Sequence, residues 1–181
     1  MNGNGTKEKR KPAERLESTL FALLQEKSFD EISITELCAA AGVARKTFYR
    51  KFADMNEIIE KAFLGVFGKL TDAIDFTASD AKSVYSVCFE YLAAHKNLTS
   101  AFVDPSLHNT VTDVLRGCVE TAFEKTYYNT VALDPTVSCF VAPFIAEGLI
   151  SIIRTWVASG FKHSPQMLAS LAERLLSGVL V

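Results

Sequence analysis

The chain predicts an all-α fold, with an N-terminal three-helix helix-turn-helix unit followed by a larger helical domain. Three observations predict it. Residues 33–52 read as a capped helix, a glycine turn and a short basic helix; apolar residues recur at helical spacing through the rest of the chain; and no useful length of sequence alternates like a strand. With 181 residues, 49% of them hydrophobic and 22% charged, the chain is globular in composition and long enough to bury a sizeable core.

Residues 1–12, MNGNGTKEKRKP, are polar, glycine-rich and basic, and read as a disordered tail that lacks the apolar stretch of a signal peptide. Such basic arms can also touch a nucleic-acid backbone. The helix-turn-helix unit is expected over residues 13–54. Leu16, Leu20, Leu23 and Leu24 form the stripe of a first helix, and Phe29, Ile32 and Ile34 close the small core beneath it.

Ser33 and Glu36 have the spacing of a capping box, with the serine oxygen accepting from the Glu36 amide and the glutamate returning to the Ser33 amide. Ile34, Leu37, Cys38 and Ala41 then share a face, and Gly42 is placed where a left-handed residue ends a helix. A second helix is expected from about Ala44. Phe48 and Phe52, four apart, point inward with Val43, which leaves Lys46, Tyr49 and Arg50 opposite them and Arg45 and Thr47 on the flanks.

The outward side of that second helix is basic, aromatic and hydroxylic. Lys and Arg neutralise phosphates, Arg pairs bidentately with guanine, and Thr and Tyr hydroxyls donate to phosphate oxygens. A charge run on an arbitrary helix is usually a solvated face. This one follows a capped helix and a glycine turn, and that setting favours DNA. Arg45, Lys46 and Tyr49 are the expected base contacts, and Thr35, Thr47, Arg50 and Lys51 the expected phosphate contacts. Charge is divided accordingly: residues 1–52 carry ten Lys/Arg and seven Asp/Glu, whereas residues 53–181 carry nine and fourteen. Only the N-terminal part invites a polyanion.

Residues 55–181 are expected to form the second domain. A helix from about Asn56, carrying Ile58, Ile59, Ala62, Phe63, Val66, Phe67 and Leu70, is apolar on more than one side and can bridge both domains. Further helices should start at Ser79, Asp104-Pro105, Asp134-Pro135 and Ser164-Pro165, the last three placing an N-cap side chain before a proline. The Ser79 helix carries Val84, Tyr85, Cys88, Tyr91, Leu92 and His95 on one stripe, with His95 read as a satisfied histidine at a helix end. The Asp134 helix, with Val141, Ile145, Leu149, Ile152 and Trp156 in series, should kink at Pro143, admit a close neighbour at Gly148 and stop at Gly160. Leu168, Leu171, Leu175, Leu176 and Val179 mark the final helix. These last two helices offer more apolar surface than one small monomer needs to hide.

Cys38, Cys88, Cys118 and Cys139 are dispersed, without zinc-like spacing, and read as buried thiols in a reducing cytoplasm. No metal or cofactor is expected. The longest apolar stretch, Cys139 to Val157, is interrupted by Pro143, Glu147 and Arg154, so no membrane span is expected. Nucleophile-elbow, P-loop and GxGxxG signatures in their proper contexts are missing too, which argues against an enzyme.

From about Arg15 to Ile59 the chain resembles the TetR family of bacterial transcriptional regulators. The matching run is LFALLQEKSFDEISITELCAAAGVARKTFYRKFADMNEIIEKAF, and the T-F-Y-x-x-F signature, Thr47 to Phe52, is its most specific part. Two departures stand out: Met55 occupies the position of a customary phosphate-binding lysine, and Lys27-Ser28 replaces a common glycine before Phe29. The resemblance implies a homodimer whose last two helices pair with their two-fold mates as a four-helix bundle. That arrangement would set two recognition helices about 34–36 Å apart, or a multiple, on a palindromic operator. It also implies a small-molecule effector held among the middle helices, for which Phe63, Phe67, Tyr85, Phe89, Tyr91, Phe102, Phe123, Tyr127, Phe144 and Trp156 are the candidate lining. The expected function is a repressor released by an apolar or aromatic ligand; the alternative is a DNA-binding adaptor controlled by a protein partner.

Overall fold

Pro12, with no amide to leave unsatisfied, begins α1 (Pro12–Leu23), and the Glu14 carboxylate accepts from the Lys11 amide at 3.1 Å to close its first turn. The computed structural model describes residues 10–74, 81–127 and 135–176, apart from the side chains of residues 71–73, 81, 122–127 and 135–138. A 3₁₀ turn (Phe29–Glu31) leads into α2 (Ile34–Ala41) and the short α3 (Arg45–Tyr49). Leu16, Leu20, Leu24, Phe29, Ile32, Leu37, Phe48 and Phe52 form one buried cluster beneath them, as their spacing predicts. Leu23 is only partly buried.

The second part comprises α4 (Asn56–Ala73), α5 (Ala81–Ala94), α6 (Lys96–Val103), a 3₁₀ turn (Pro105–Leu107), α7 (His108–Tyr127), α8 (Pro135–Ala158) and α9 (Pro165–Leu176). Among the described residues there is no strand. α5 lies along α9, α7 is flanked by α4 and α8, and α6 packs between α8 and α1. The hydrophobic core runs without a break from Leu16 to Leu176. α4 bridges the two parts as expected: Phe63 meets Phe21 of α1 edge-on at 6.3 Å and Phe102 of α6 at 5.1 Å.

The start signals act as read where they are described. Ser164 Oγ accepts from the Met167 amide at 3.3 Å, and Asp104 accepts from the Ser106 amide at 2.9 Å. The Ser79 and Asp134 caps, Val179 and the first nine residues lie outside the described residues. Gly160 takes φ 72° just past the end of α8, and α8 continues through Pro143. A Cβ at Gly148 would come within 2.9 Å of Leu176, so glycine there lets α9 approach α8 closely.

Two expectations need correction. Glu36 does not complete a capping box; its carboxylate pairs with Lys27 instead, because the turn before Phe29 brings that ammonium within reach. The cysteines are not all buried, since Cys139 is exposed on α8 while Cys38 is buried and Cys88 and Cys118 are partly buried. Burial pushes the Cys88 and Cys118 thiols up to about 11, well away from the reactive thiolate range. Among the described residues one helix, Cys139–Ala158, is long and apolar enough to cross a membrane. Here it is a core helix, packed on α6, α7 and α9 with Val141, Ile145, Ile150, Ile153 and Trp156 buried.

Candidate nucleic-acid interface

The recognition surface is built from the α2–α3 turn outward. Ser33 Oγ accepts from the Glu36 amide at 3.1 Å and starts α2. Gly42 ends it at φ 60° and ψ 38°, and the Val43 amide reaches back to Cys38 at 2.9 Å. Val43, Phe48 and Phe52 are buried, so α3 is seated by its apolar side and its rotation is fixed. Tyr49 is consequently 52% exposed, and Arg45, Lys46, Arg50 and Lys51 are exposed with it. Thr35 is exposed on α2, and Thr47 is partly buried on the flank.

Arg45 and Tyr49 are organised before any partner arrives. The guanidinium Nη2 donates to Tyr49 Oη at 3.4 Å, its carbon lies 5.9 Å from the ring centre, and this bond raises the Arg45 pKa further. Tyr49 also meets Phe48 edge-on at 5.3 Å. An aromatic hydroxyl and a fork of donors thus stand together on one helix face, the chemistry that base edges and phosphates require. The candidate base contacts fall on this face, and Thr47, Arg50 and Lys51 surround it.

Four supporting residues escaped the sequence reading. Arg15 of α1 donates Nη2 to the carbonyls of Ala41 and Gly42, at 2.9 Å for the latter, and so satisfies the carbonyl end of α2. A Cβ at Gly42 would lie 2.5 Å from that nitrogen, so the Arg15 side chain would have to shift; the left-handed φ is what calls for glycine there. Nothing local in the sequence links positions 26 residues apart. Asp54 accepts from the Glu57 amide at 3.0 Å while Glu57 accepts from the Ala53 amide at 2.5 Å, which starts α4 directly behind the recognition helix. The Asp-x-x-Glu spacing announces that cap and could have been read. Lys61 bonds Glu57 at 2.6 Å, reaches the Lys51 carbonyl at 3.4 Å and lies 5.1 Å from the Phe52 ring, so it braces the end of the recognition segment. Met55 packs against the core.

Residues 18–62 match the model of bacterial regulatory proteins of the tetR family, and residues 79–178 match the C-terminal region of transcriptional regulators of that type. The chain belongs to the TetR family. It is therefore a transcriptional regulator with an N-terminal helix-turn-helix domain. No curated protein matches it closely in sequence. Solved structures share the fold. A TetR-family transcriptional repressor, FadR of Thermus thermophilus, in complex with lauroyl-CoA, is 16% identical with a TM-score of 0.65, over 93% of this chain and 95% of that one. FadR from Bacillus subtilis, in complex with stearoyl-CoA, is 18% identical with a TM-score of 0.58, over 90% and 96%. The dihydroxyacetone kinase operon activator DhaS is 16% identical with a TM-score of 0.60, over 92% and 94%.

The candidate effector-lining residues of this TetR-family chain separate by burial. Phe63, Phe67, Tyr85, Phe89, Phe102 and Trp156 are buried. Ring contacts join several of them: Phe63 stacks on Phe67 at 6.0 Å, and Trp156 lies edge-on to Phe89 at 5.9 Å and to Phe161 at 4.9 Å. Tyr91 is half-buried and stacks on His95, whose Nδ1 lies 2.9 Å from the Tyr91 carbonyl, so that histidine is satisfied at its helix end. The side chains of Phe123 and Tyr127 lie outside the described residues. Phe144 is a correction: it is 57% exposed, with Phe140 at 73% one turn earlier, because α8 turns this side away from α6 and α7.

Proposed function

We propose that this TetR-family regulator acts in the cytoplasm as a homodimer on a palindromic operator, and that it is a repressor released by a small apolar or aromatic ligand. In this reading residues 13–54 bind DNA and residues 55–181 sense the ligand and dimerise. Arg45, Lys46 and Tyr49 read base edges, and Thr35, Thr47, Arg50 and Lys51 hold phosphates. The observation that carries the reading is the seating of α3: Phe48 and Phe52 are buried while every cation of the helix faces solvent.

Dimerisation is supported by the outer side of α8 and α9, where Phe140, Phe144, Met167, Leu171 and Leu175 are exposed. Large apolar side chains left exposed at four-residue spacing along two helices suit an interaction face. Lauroyl-CoA and stearoyl-CoA in the two FadR structures make an acyl thioester the first ligand class to try. The tightly packed rings around Phe63 favour a second reading, in which a protein partner rather than a ligand exerts control.

Selection of bound sequences from a random duplex pool, with sedimentation of the winning complex, tests the proposal. A palindromic winner bound by two chains, and released by a long-chain acyl-CoA, is the expected result. A palindrome indifferent to acyl-CoA would move the reading to partner control. A winner bound by a single chain would refute the dimer.

A further inference from the structure

Asp104 is a carboxylate only 7% exposed, at the corner between α6 and α7. It accepts three donors. Oδ1 takes the Ser106 amide of its own turn at 2.9 Å. Oδ2 takes the Phe29 amide at 2.7 Å and the Ser28 hydroxyl at 3.4 Å, both from the turn that opens the helix-turn-helix and some 75 positions away. Ser106 Oγ returns the favour to Asp30 Oδ2 at 2.6 Å. Each of these two turns therefore offers a carboxylate to the other's donors. Thr110, two residues into α7 from its start, adds a bond to Asn56 at the head of α4, at 3.2 Å.

The same corner is gripped from the opposite side. Arg154 of α8 donates Nε to the Phe102 carbonyl at 2.5 Å, and its Nη2 lies 2.6 Å from His108 Nδ1. Arginine can only donate, so this nitrogen of His108 is the acceptor and Nε2 carries the proton, 3.7 Å from Glu147. Residues 102–110 are thus tied to the C-terminal core at Phe102 and His108, to the DNA-binding unit at Asp104 and Ser106, and to the head of α4 at Thr110.

We propose that Asp104 is a positioning residue for DNA recognition: it sets the attitude of the helix-turn-helix on the C-terminal domain, with Arg154 holding its turn in place. The proposal rests on the reading that residues 45–51 meet DNA. The chemistry is specific to a carboxylate, because both oxygens face N–H donors. An asparagine would turn its own N–H₂ towards the Phe29 amide or the Ser106 amide whichever way it was flipped, losing either the bond to the helix-turn-helix or the bond that shapes the Asp104 turn. Phe29 is itself buried, which keeps water from replacing the lost acceptor.

The test is amide hydrogen exchange on the full chain for Asp104→Asn, Arg154→Met and a control, Leu168→Ala on α9, together with affinity for the duplex enriched by selection. Asp104→Asn is expected to raise exchange across residues 28–52 and to weaken that duplex roughly tenfold, as one lost buried hydrogen bond would. Arg154→Met, although Arg154 bonds no residue of the DNA-binding unit, is expected to raise exchange over the same residues. Unchanged exchange there in either variant overturns the proposal. So does a loss of duplex affinity in Asp104→Asn no greater than in Leu168→Ala at equal melting temperature. Exchange needs no DNA, so it decides the matter even if selection enriches nothing. Should Asp104→Asn fail to fold, Ser106→Ala removes the link to Asp30 from an exposed site and must shift exchange in the same direction.

Discussion

Recognition helix and C-terminal interior use aromatic side chains in opposite ways. On α3 the rings are divided by side: Phe48 and Phe52 anchor the helix while Tyr49 stands outside beside Arg45. In the interior, Phe63, Phe89, Phe102 and Trp156 are spent on one another. An exposed tyrosine pre-set against a cation contributes little to folding and is available to a partner, whereas a ring buried among rings contributes chiefly to cohesion. The comparison therefore separates residues whose loss should unfold the chain from those whose loss should only silence it.

Phe63→Ala should break the contrast most visibly, lowering the free energy of unfolding by about 3–5 kcal/mol in urea titrations, because the side chain leaves a cavity where α1, α4 and α6 meet. Arg45→Ala should leave that titration within about 0.5 kcal/mol of the parent. On the enriched duplex it should cost about 1–3 kcal/mol and relax preference at one base pair; a loss spread evenly over all sequences would make Arg45 a phosphate contact. Lys51→Ala should weaken every duplex alike and reduce the salt slope by about one unit. An unchanged slope would remove Lys51 from the interface.

Acidity gives the smallest effects, with opposite signs. The Lys27 ammonium holds the Glu36 carboxyl below its ordinary range, and Lys61 with the Ala53 amide does the same for Glu57. Stability from these two groups is present above the ordinary carboxylate pKa and is lost as pH falls through their lowered folded values. Glu17 is the reverse: burial, helped by Glu14, raises its pKa. Its charge opposes folding at neutral pH, and that cost is relieved as pH falls through the raised value. Glu17→Gln should accordingly raise the melting temperature slightly at pH 7 and lose that advantage near pH 4; an advantage that persisted in acid would assign the gain to packing.

Most of the recognition unit was legible because its signals are local. Ser33, Gly42 and the Phe48/Phe52 pair act within four or five residues, and the chain obeys them. Glu36 misled because its true partner, Lys27, lies in an irregular turn whose path no periodicity reveals. Arg15 on Ala41 and Asp104 on Phe29 join positions 26 and 75 apart, and only tertiary packing brings them together. Phe144 shows the limit in the other direction: its apolar character was plain, but which side of a nearly all-apolar helix faces inward depends on where α6, α7 and α9 settle.

The most direct test of the central claim is affinity for the enriched duplex and for a scrambled duplex of equal length, each measured across a salt series. A preference of at least ~10³-fold at physiological salt, lost in Arg45→Ala, is the predicted result. Equal, weak and steeply salt-dependent binding to both duplexes would contradict it, and would reduce the basic face of α3 to generic surface.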